Sequence, residues 1–172
     1  MYTSRHENGF SLIELLIVVV VIGIIAAIAI PNLLASRRAS NEASAISSCR
    51  LLVGAQATYR STHGNGIYAS QLGMLGATSI SDTALGCTSM PCVKSGYNFG
   101  MDADPGNLAT GLQPTWNVYA TPITSTGVSN TGTRSFYTNE IGVIQFKLGG
   151  DAPTAGISQT VRIPTDGTPL NN

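Results

Sequence analysis

Hydrophobic and polar positions divide the chain into three regimes. From Phe10 to Ile30 the sequence reads FSLIELLIVVVVIGIIAAIAI, 21 residues with Glu14 as the single charge. Such a run spans about 31 Å as a helix, matching the ~30 Å hydrocarbon core of a bilayer, so it predicts a helix able to cross a membrane. Beyond Pro31 the pattern changes without breaking. Ala35, Ala39, Ala43, Ile46, Cys49, Val53 and Ala57 recur at steps of three and four, while Asn32, Arg37, Arg38, Glu42, Gln56 and Arg60 fall on other faces. Gly64 and Gly66, just after His63, supply a C-terminal stop. One helix from Phe10 to His63 is therefore expected, apolar in its first half and amphipathic in its second. It is longer than a compact domain of this size requires, so the apolar half must pack elsewhere. Gly23 and Pro31 are its weak points, costing about 1 and 3 kcal/mol relative to Ala, and Pro31 has no N–H for the Ala27 carbonyl.

The third regime is Gly-, Ser- and Thr-rich from Asn65 to Ser95, with Tyr68, Leu72, Leu75 and Leu85 as scattered anchors. It reads as a connecting loop with room for one short helix. Alternation follows in Tyr97, Phe99 and Met101, then Trp116, Val118 and Ala120, then Phe136 or Tyr137, then Ile144, Phe146 and Leu148. Four strands are expected. Turn-rich clusters such as Asp104-Pro105-Gly106-Asn107 and Ser129-Asn130-Thr131-Gly132 separate them and favour antiparallel connections. The fold class is therefore α+β, a small antiparallel four-stranded sheet packed on the Ile46 to Ala57 stripe of the helix. Gly149 to Asn172, with Pro153, Pro164 and Pro169, reads as a tail with one short edge strand near Thr160 to Ile163.

Composition narrows the function. At 172 residues, one domain is expected. Charged residues make up only 10% of the chain and balance to a formal net charge of zero, against a nucleic-acid binder that needs a basic face. Ser, Thr, Asn and 19 Gly must instead keep the surface wet.

The start of the apolar run carries a specific motif. Gly9-Phe10-Ser11-Leu12-Ile13-Glu14, after the polar leader Met1 to Asn8, resembles the class III signal of type IV prepilins and type II secretion pseudopilins. A secretory signal cleaved near Ala29 fits less well, because the apolar run is too long, a carboxylate sits near its start and the helical pattern continues past it. The resemblance implies cleavage between Gly9 and Phe10 by a prepilin peptidase that also methylates Phe10. Glu14 then becomes the fifth mature residue and Pro31 the twenty-second, positions at which the family has these residue types. It further implies the pilin fold, storage as a single-pass protein of the bacterial inner membrane, and polymerisation through the N-terminal helix by dedicated assembly machinery. Glu14, Phe10, Gly23 and Pro31 are the assembly residues on this reading, with Glu14 pairing the Phe10 amine of a neighbouring copy. Pro31 reads either as a tolerated kink or as part of a segment that unwinds during assembly. Arg5 before the span and Arg37 and Arg38 after it weakly favour the opposite topology, so the resemblance, not charge, places the C-terminus outside. Residues 1–9 are then a leader, 10–31 the membrane and filament-core half of the helix, 32–64 its amphipathic half and 65–172 the globular domain.

A structural subunit of a type IV pilus is the expected function, with a major pseudopilin of a type II secretion system as the alternative and a membrane-anchored periplasmic binding domain as a third. No enzyme is expected, since there is no GxSxG elbow, HExxH pair or GxxxxGK[ST] loop, and His63 is the only histidine beyond the leader. No cofactor is expected. Asp102, Asp104 and Asn107 could offer oxygens to calcium, which some major pseudopilins bind near the C-terminus. Their spacing lacks the twelve-residue loop and its terminal Glu, so turn formation is the expected role. Of three cysteines, Cys87 and Cys92 bracket four residues and form the leading disulfide pair, with a Cys49 bridge to either as the alternative. Many pilins carry a C-terminal disulfide loop, whereas this pair precedes the expected sheet.

Overall fold

The computed structural model describes residues 9–78, 82–153 and 164–170. Helix α1 runs unbroken from Leu12–Thr62, passing through Pro31. Ser11 opens it by accepting the Leu15 amide, and Glu14 lies in the first turn, where a carboxylate complements the helix dipole. At the other end His63 and Gly64 both donate to the Tyr59 carbonyl and Gly66 donates to Arg60. Asn65 and Gly66 take positive φ angles of 48° and 90°, which turns the chain away from the helix axis. The expected helix is thus present, shortened by two residues at its start and one at its end.

The chain divides into two units, one ending at Ser36 and the other beginning at Arg37. In the first, α1 presents its large apolar residues from Leu12 to Leu33 to the outside. It is long and apolar enough to cross a membrane.

The second unit packs the remainder of α1 against a sheet. Helix α2 (Leu72–Thr78) follows, then strands β1 (Cys92–Lys94), β2 (Tyr97–Asp104), β3 (Thr115–Pro122), β4 (Arg134–Asn139), β5 (Gln145–Leu148) and β6 (Thr168–Pro169). Among the described residues each strand pairs antiparallel with the next, a six-stranded meander in sequence order. Four strands were expected, and β2 to β5 are those four. The additions are a three-residue strand inside the expected loop and a two-residue strand within the expected tail, both too short to show alternation. Thr160 to Ile163, where an edge strand was expected, lie outside the described residues. The edge strand that is present, β6, sets Thr168 opposite Phe146 and Pro169 opposite Gln145.

Register explains the core. Across β2 and β3, Phe99 faces Ala120 and Met101 faces Val118, and β4 adds Phe136 opposite Ala120. These side chains, with Tyr97 and Trp116, are buried against Ala45, Cys49, Leu52, Ala55 and Tyr59 of α1 and Leu72 and Leu75 of α2. The buried face of α1 overlaps the expected one only in part, sharing Cys49. Ala43 and Ala57 are exposed and Ile46 and Val53 only half-buried, while Glu42, Ala45, Ser48, Leu52 and Gln56 are buried. The helix is rotated by about one residue from the alanine stripe, because two polar side chains assigned to outer faces have partners inside. Gln56 closes a reciprocal pair with the Ala69 backbone, donating to its carbonyl at 3.0 Å and accepting its amide at 2.9 Å. A buried amide so satisfied is tolerated where an unpaired one would be costly.

The opposite face of the sheet is also largely buried, at Gly100, Asn117, Ser135, Tyr137, Asn139 and Gln145. Gly167 and Pro153 meet at Gln145, so the chain beyond β5 returns over this face instead of trailing as a tail. Gly100 sits opposite Tyr119, and a Cβ there would collide with the Tyr119 ring. Gly100→Ala should therefore lower the unfolding free energy by about 1–3 kcal/mol through overpacking. Urea unfolding of the detergent-solubilised chain measures this, and an unchanged midpoint would contradict the packing described.

Candidate functional site

Two features emerge from this fold as functional candidates: the apolar opening of α1, and the set of contacts that fastens its continuation to the sheet. Gly9 and Phe10 precede α1, and Phe10 is 83% exposed. Among the described residues, a Cβ on Gly9 would meet nothing within 4 Å. Glu14 follows one turn later on the helix, also exposed. Gly23 lies mid-helix with open space around it. Pro31 cannot donate to Ala27, and one residue further on the Asn32 side chain donates to the Ile28 carbonyl at 3.1 Å. Glu14, Gly23 and Pro31 thus share one helical segment, and Phe10 lies just before it.

In the second unit, Glu42 is the organising charge. Its side chain is only 8% exposed. Oε1 accepts from the Thr133 amide and the Thr133 hydroxyl, both at 2.8 Å, and Oε2 accepts from Arg134 Nε at 2.7 Å. Burial pushes the carboxyl pKa up, but the Thr133 amide, the Thr133 hydroxyl and the Arg134 guanidinium together outweigh it and hold the group below its usual range. Arg134 in turn lies 5.7 Å from the Phe136 ring centroid and 5.4 Å from that of Phe146. Tyr97 donates to the Arg134 carbonyl at 2.7 Å, and burial raises the Tyr97 pKa, keeping the phenol protonated. One carboxylate on α1 therefore ties the helix to the start of β4.

Neighbouring residues extend this attachment. Arg38 donates to the Val128 carbonyl at 2.8 Å and Asn41 to the Thr131 carbonyl at 2.9 Å, which seats the β3–β4 connection on the helix. Glu42 and Gln56 were missed as anchors when the helix was read from apolarity alone. A seven-residue spacing was the available signal: Glu42, Cys49 and Gln56 share one register, and Ala45, Leu52 and Tyr59 the adjacent one.

Cys87 and Cys92 form the disulfide, with Cα atoms 5.7 Å apart, and Cys49 is a free buried thiol. Burial pushes the Cys49 pKa up to about 12, so this thiol is an inert part of the core. Cys92 opens β1, which makes the closed loop a flap at the sheet edge. Asp104 accepts the Gly106 amide at 2.8 Å, and Asn107 accepts the Ala109 amide and exchanges backbone bonds with Leu112. Both make the turn contacts expected of them. His63 is exposed, stacks on Tyr59 with ring centroids 6.2 Å apart and lies 2.8 Å from the Thr62 hydroxyl.

This arrangement, an open Gly-Phe junction before an uncovered apolar helix with an early carboxylate, defines a class. Residues 4–30 match the model of the prokaryotic N-terminal methylation motif. Among proteins carrying related sequence, the chain is 58% identical over 38 residues to the type IV wide pilus major component PilA4 of Thermus thermophilus, covering 22% of this chain and 29% of that protein. It is 32% identical over 57 residues to the type II secretion system core protein G of Aeromonas hydrophila (33% and 40%), and 47% identical over 56 residues to the type IV major pilin protein PilA of Myxococcus xanthus (33% and 26%). The chain spans less than half the length of these relatives. No solved structure matches it. The chain is thus similar to type IV pilins and type II secretion pseudopilins, with an α+β architecture consistent with the pilin fold.

The Glu42 attachment has a defined pH signature. Because its folded pKa lies below the ordinary value of 4.5, the carboxylate contributes stability fully above that value and loses it as pH falls through the folded pKa. Glu42→Gln should cost about 1–3 kcal/mol at neutral pH, and the gap to the parent should close as pH drops below the ordinary carboxylate range. Denaturant unfolding at a series of pH values measures this. A gap independent of pH would contradict the ionised pairing.

Proposed function

We propose that the chain is the structural subunit of a type IV pilus, held in the bacterial inner membrane through residues 10–31 and polymerised through the same segment. The observation that carries this reading is the methylation motif joined to an apolar helix with no protein packed on it. A bilayer covers such a surface before assembly, and copies of the same helix cover it afterwards. A prepilin peptidase cleaves between Gly9 and Phe10 and methylates Phe10, and assembly machinery then draws the subunit out. Two of the relatives named above are pilus components, which supports a pilus. The relative from type II secretion supports a periplasmic pseudopilus as the second reading.

Glu14 acts as a register key. In a water-poor bundle of helices an unpaired carboxylate is costly, while one beside the Phe10 amine of a neighbour is compensated, so the charge penalises wrong registers more than it adds stability. Its contribution to its own helix dipole is smaller, about 0.3–1 kcal/mol. Glu14→Ala should insert in the membrane at least as readily as the parent, since a charge has left the apolar segment, and should fail in assembly. Quantifying the membrane pool and sheared filaments separately tests this, with mass spectrometry showing whether the subunit begins at N-methylated Phe10. Normal filament yield from Glu14→Ala, or an intact Met1 terminus in assembled protein, would overturn the reading.

A further inference from the structure

Between α1 and α2 the chain reverses within four residues. The Ile67 amide donates to the Gly64 carbonyl at 2.9 Å, and the two residues between them, Asn65 and Gly66, take positive φ angles of 48° and 90°. This is the form of a type I′ turn, for which Asn-Gly is the preferred pair. Gly66 is held through both of its backbone polar groups by one residue of α1. Its amide donates to the Arg60 carbonyl at 3.1 Å, and its carbonyl accepts from Arg60 Nε at 2.9 Å. A second nitrogen of the same guanidinium donates to the Tyr68 hydroxyl at 3.0 Å, and the guanidinium carbon lies 5.0 Å from the Tyr68 ring centroid. Arg60 therefore closes a clasp over the turn.

The pair that suits this turn is also chemically labile. Gly has no Cβ to shield its nitrogen, so the Gly66 nitrogen, once its proton passes to solvent, has an unhindered approach to Cγ of the Asn65 side chain. A bond forms between that nitrogen and Cγ, the bond from Cγ to Nδ2 breaks, and Nδ2 leaves as ammonia. The product is a five-membered imide, with no change of oxidation state. Water then adds to one of the two imide carbonyls. Opening at Cγ leaves aspartate, and opening at the main-chain carbonyl leaves isoaspartate, whose backbone is longer by a methylene. Asn65 is exposed, so water reaches it. Asn107 and Asn130 lack these conditions, since Leu108 and Thr131 follow them and their side chains are engaged, Asn107 Oδ1 with the Ala109 amide and Asn130 Nδ2 with the Ser125 carbonyl.

We propose that Asn65 is a site of imide-forming deamidation, and that the Arg60 clasp sets its rate by holding the attacking Gly66 amide. While the Gly66 N–H is bonded to the Arg60 carbonyl its proton is retained and the turn keeps its left-handed conformation. Opening the clasp releases both. This inference goes beyond the filament reading and does not depend on it. The product changes the fold locally. An aspartate here brings negative charge to the C-terminal carbonyls of α1, where it is unfavourable. An isoaspartate cannot keep the Gly64–Ile67 and Arg60–Gly66 bonds in one register. Two residues beyond Ile67, the Ala69 backbone is the partner of buried Gln56, so the loop that this anchor holds is the part that loosens.

The test incubates the detergent-solubilised full-length chain at mildly alkaline pH, folded and in urea. Peptide mass spectrometry follows deamidation at each asparagine, and enzymatic methyl transfer from S-adenosylmethionine reports isoaspartate. In urea, Asn65 should be modified ahead of Asn107 and Asn130, and in the folded parent its rate should be about tenfold lower. Arg60→Met should raise the Asn65 rate in the folded chain about tenfold, the factor that a hydrogen bond to a charged group contributes to a local opening equilibrium, with Asn107 and Asn130 at parental rates. Asn65 unmodified in urea, or modified there no faster than Asn107, would overturn the site. Equal Asn65 rates in the folded parent and in urea, or a parental rate in Arg60→Met, would overturn the clasp. Acceleration at all three asparagines alike in Arg60→Met would mark a general loosening and overturn the specific role of Arg60.

Discussion

An apolar helical surface cannot be left to water, and that constraint governs everything else in this chain. From Leu12 to Leu33 the large side chains of α1 are exposed, although each would gain from burial. Lipid can cover them and so can identical helices, and a segment that accepts both covers can move from one to the other. On the filament reading proposed above, Glu14 adds direction to that transfer. A carboxylate near the end of the segment is tolerable at a membrane surface and demands a partner inside a protein bundle.

The same helix then has to hold a domain, and it does so with polar groups. Glu42 and Gln56 each satisfy backbone groups from elsewhere in the fold, Thr133 in one case and Ala69 in the other. Apolar packing along Ala45, Leu52 and Tyr59 supplies burial, but alanine-rich surfaces slide easily, whereas a carboxylate bonded to one amide, one hydroxyl and one guanidinium fits a single register. The loop before β4 and the loop after α1 are therefore both fixed to α1.

Much of this was legible in the residues. The apolar run, the processing motif, the helix stop at Gly64 to Gly66, strands β2 to β5 and the Cys87–Cys92 pair all follow from local patterns with a direct physical meaning. The orientation of α1 was not legible in the same way. Small residues such as Ala43 and Ala57 mark a helix face only weakly, and the face that is buried carries Glu42 and Gln56, whose partners lie 91 and 13 residues further along the chain. Strands β1 and β6 are too short for alternation and exist because a longer neighbour templates them. The cover over the far side of the sheet was hidden for a related reason. Pro153 and Gly167 look like tail residues until Gln145 brings them together.

The account stands on the claim that residues 10–31 form the interior of a polymer, with Glu14 of one copy beside the Phe10 amine of another. A density map of the native filament, at a resolution that separates side chains, tests it most directly. The account predicts parallel helices at the filament axis, a mature terminus at Phe10, and Glu14 within ion-pair distance of a neighbour's amine. Helices at the periphery, or Glu14 facing solvent with no amine near it, would contradict it.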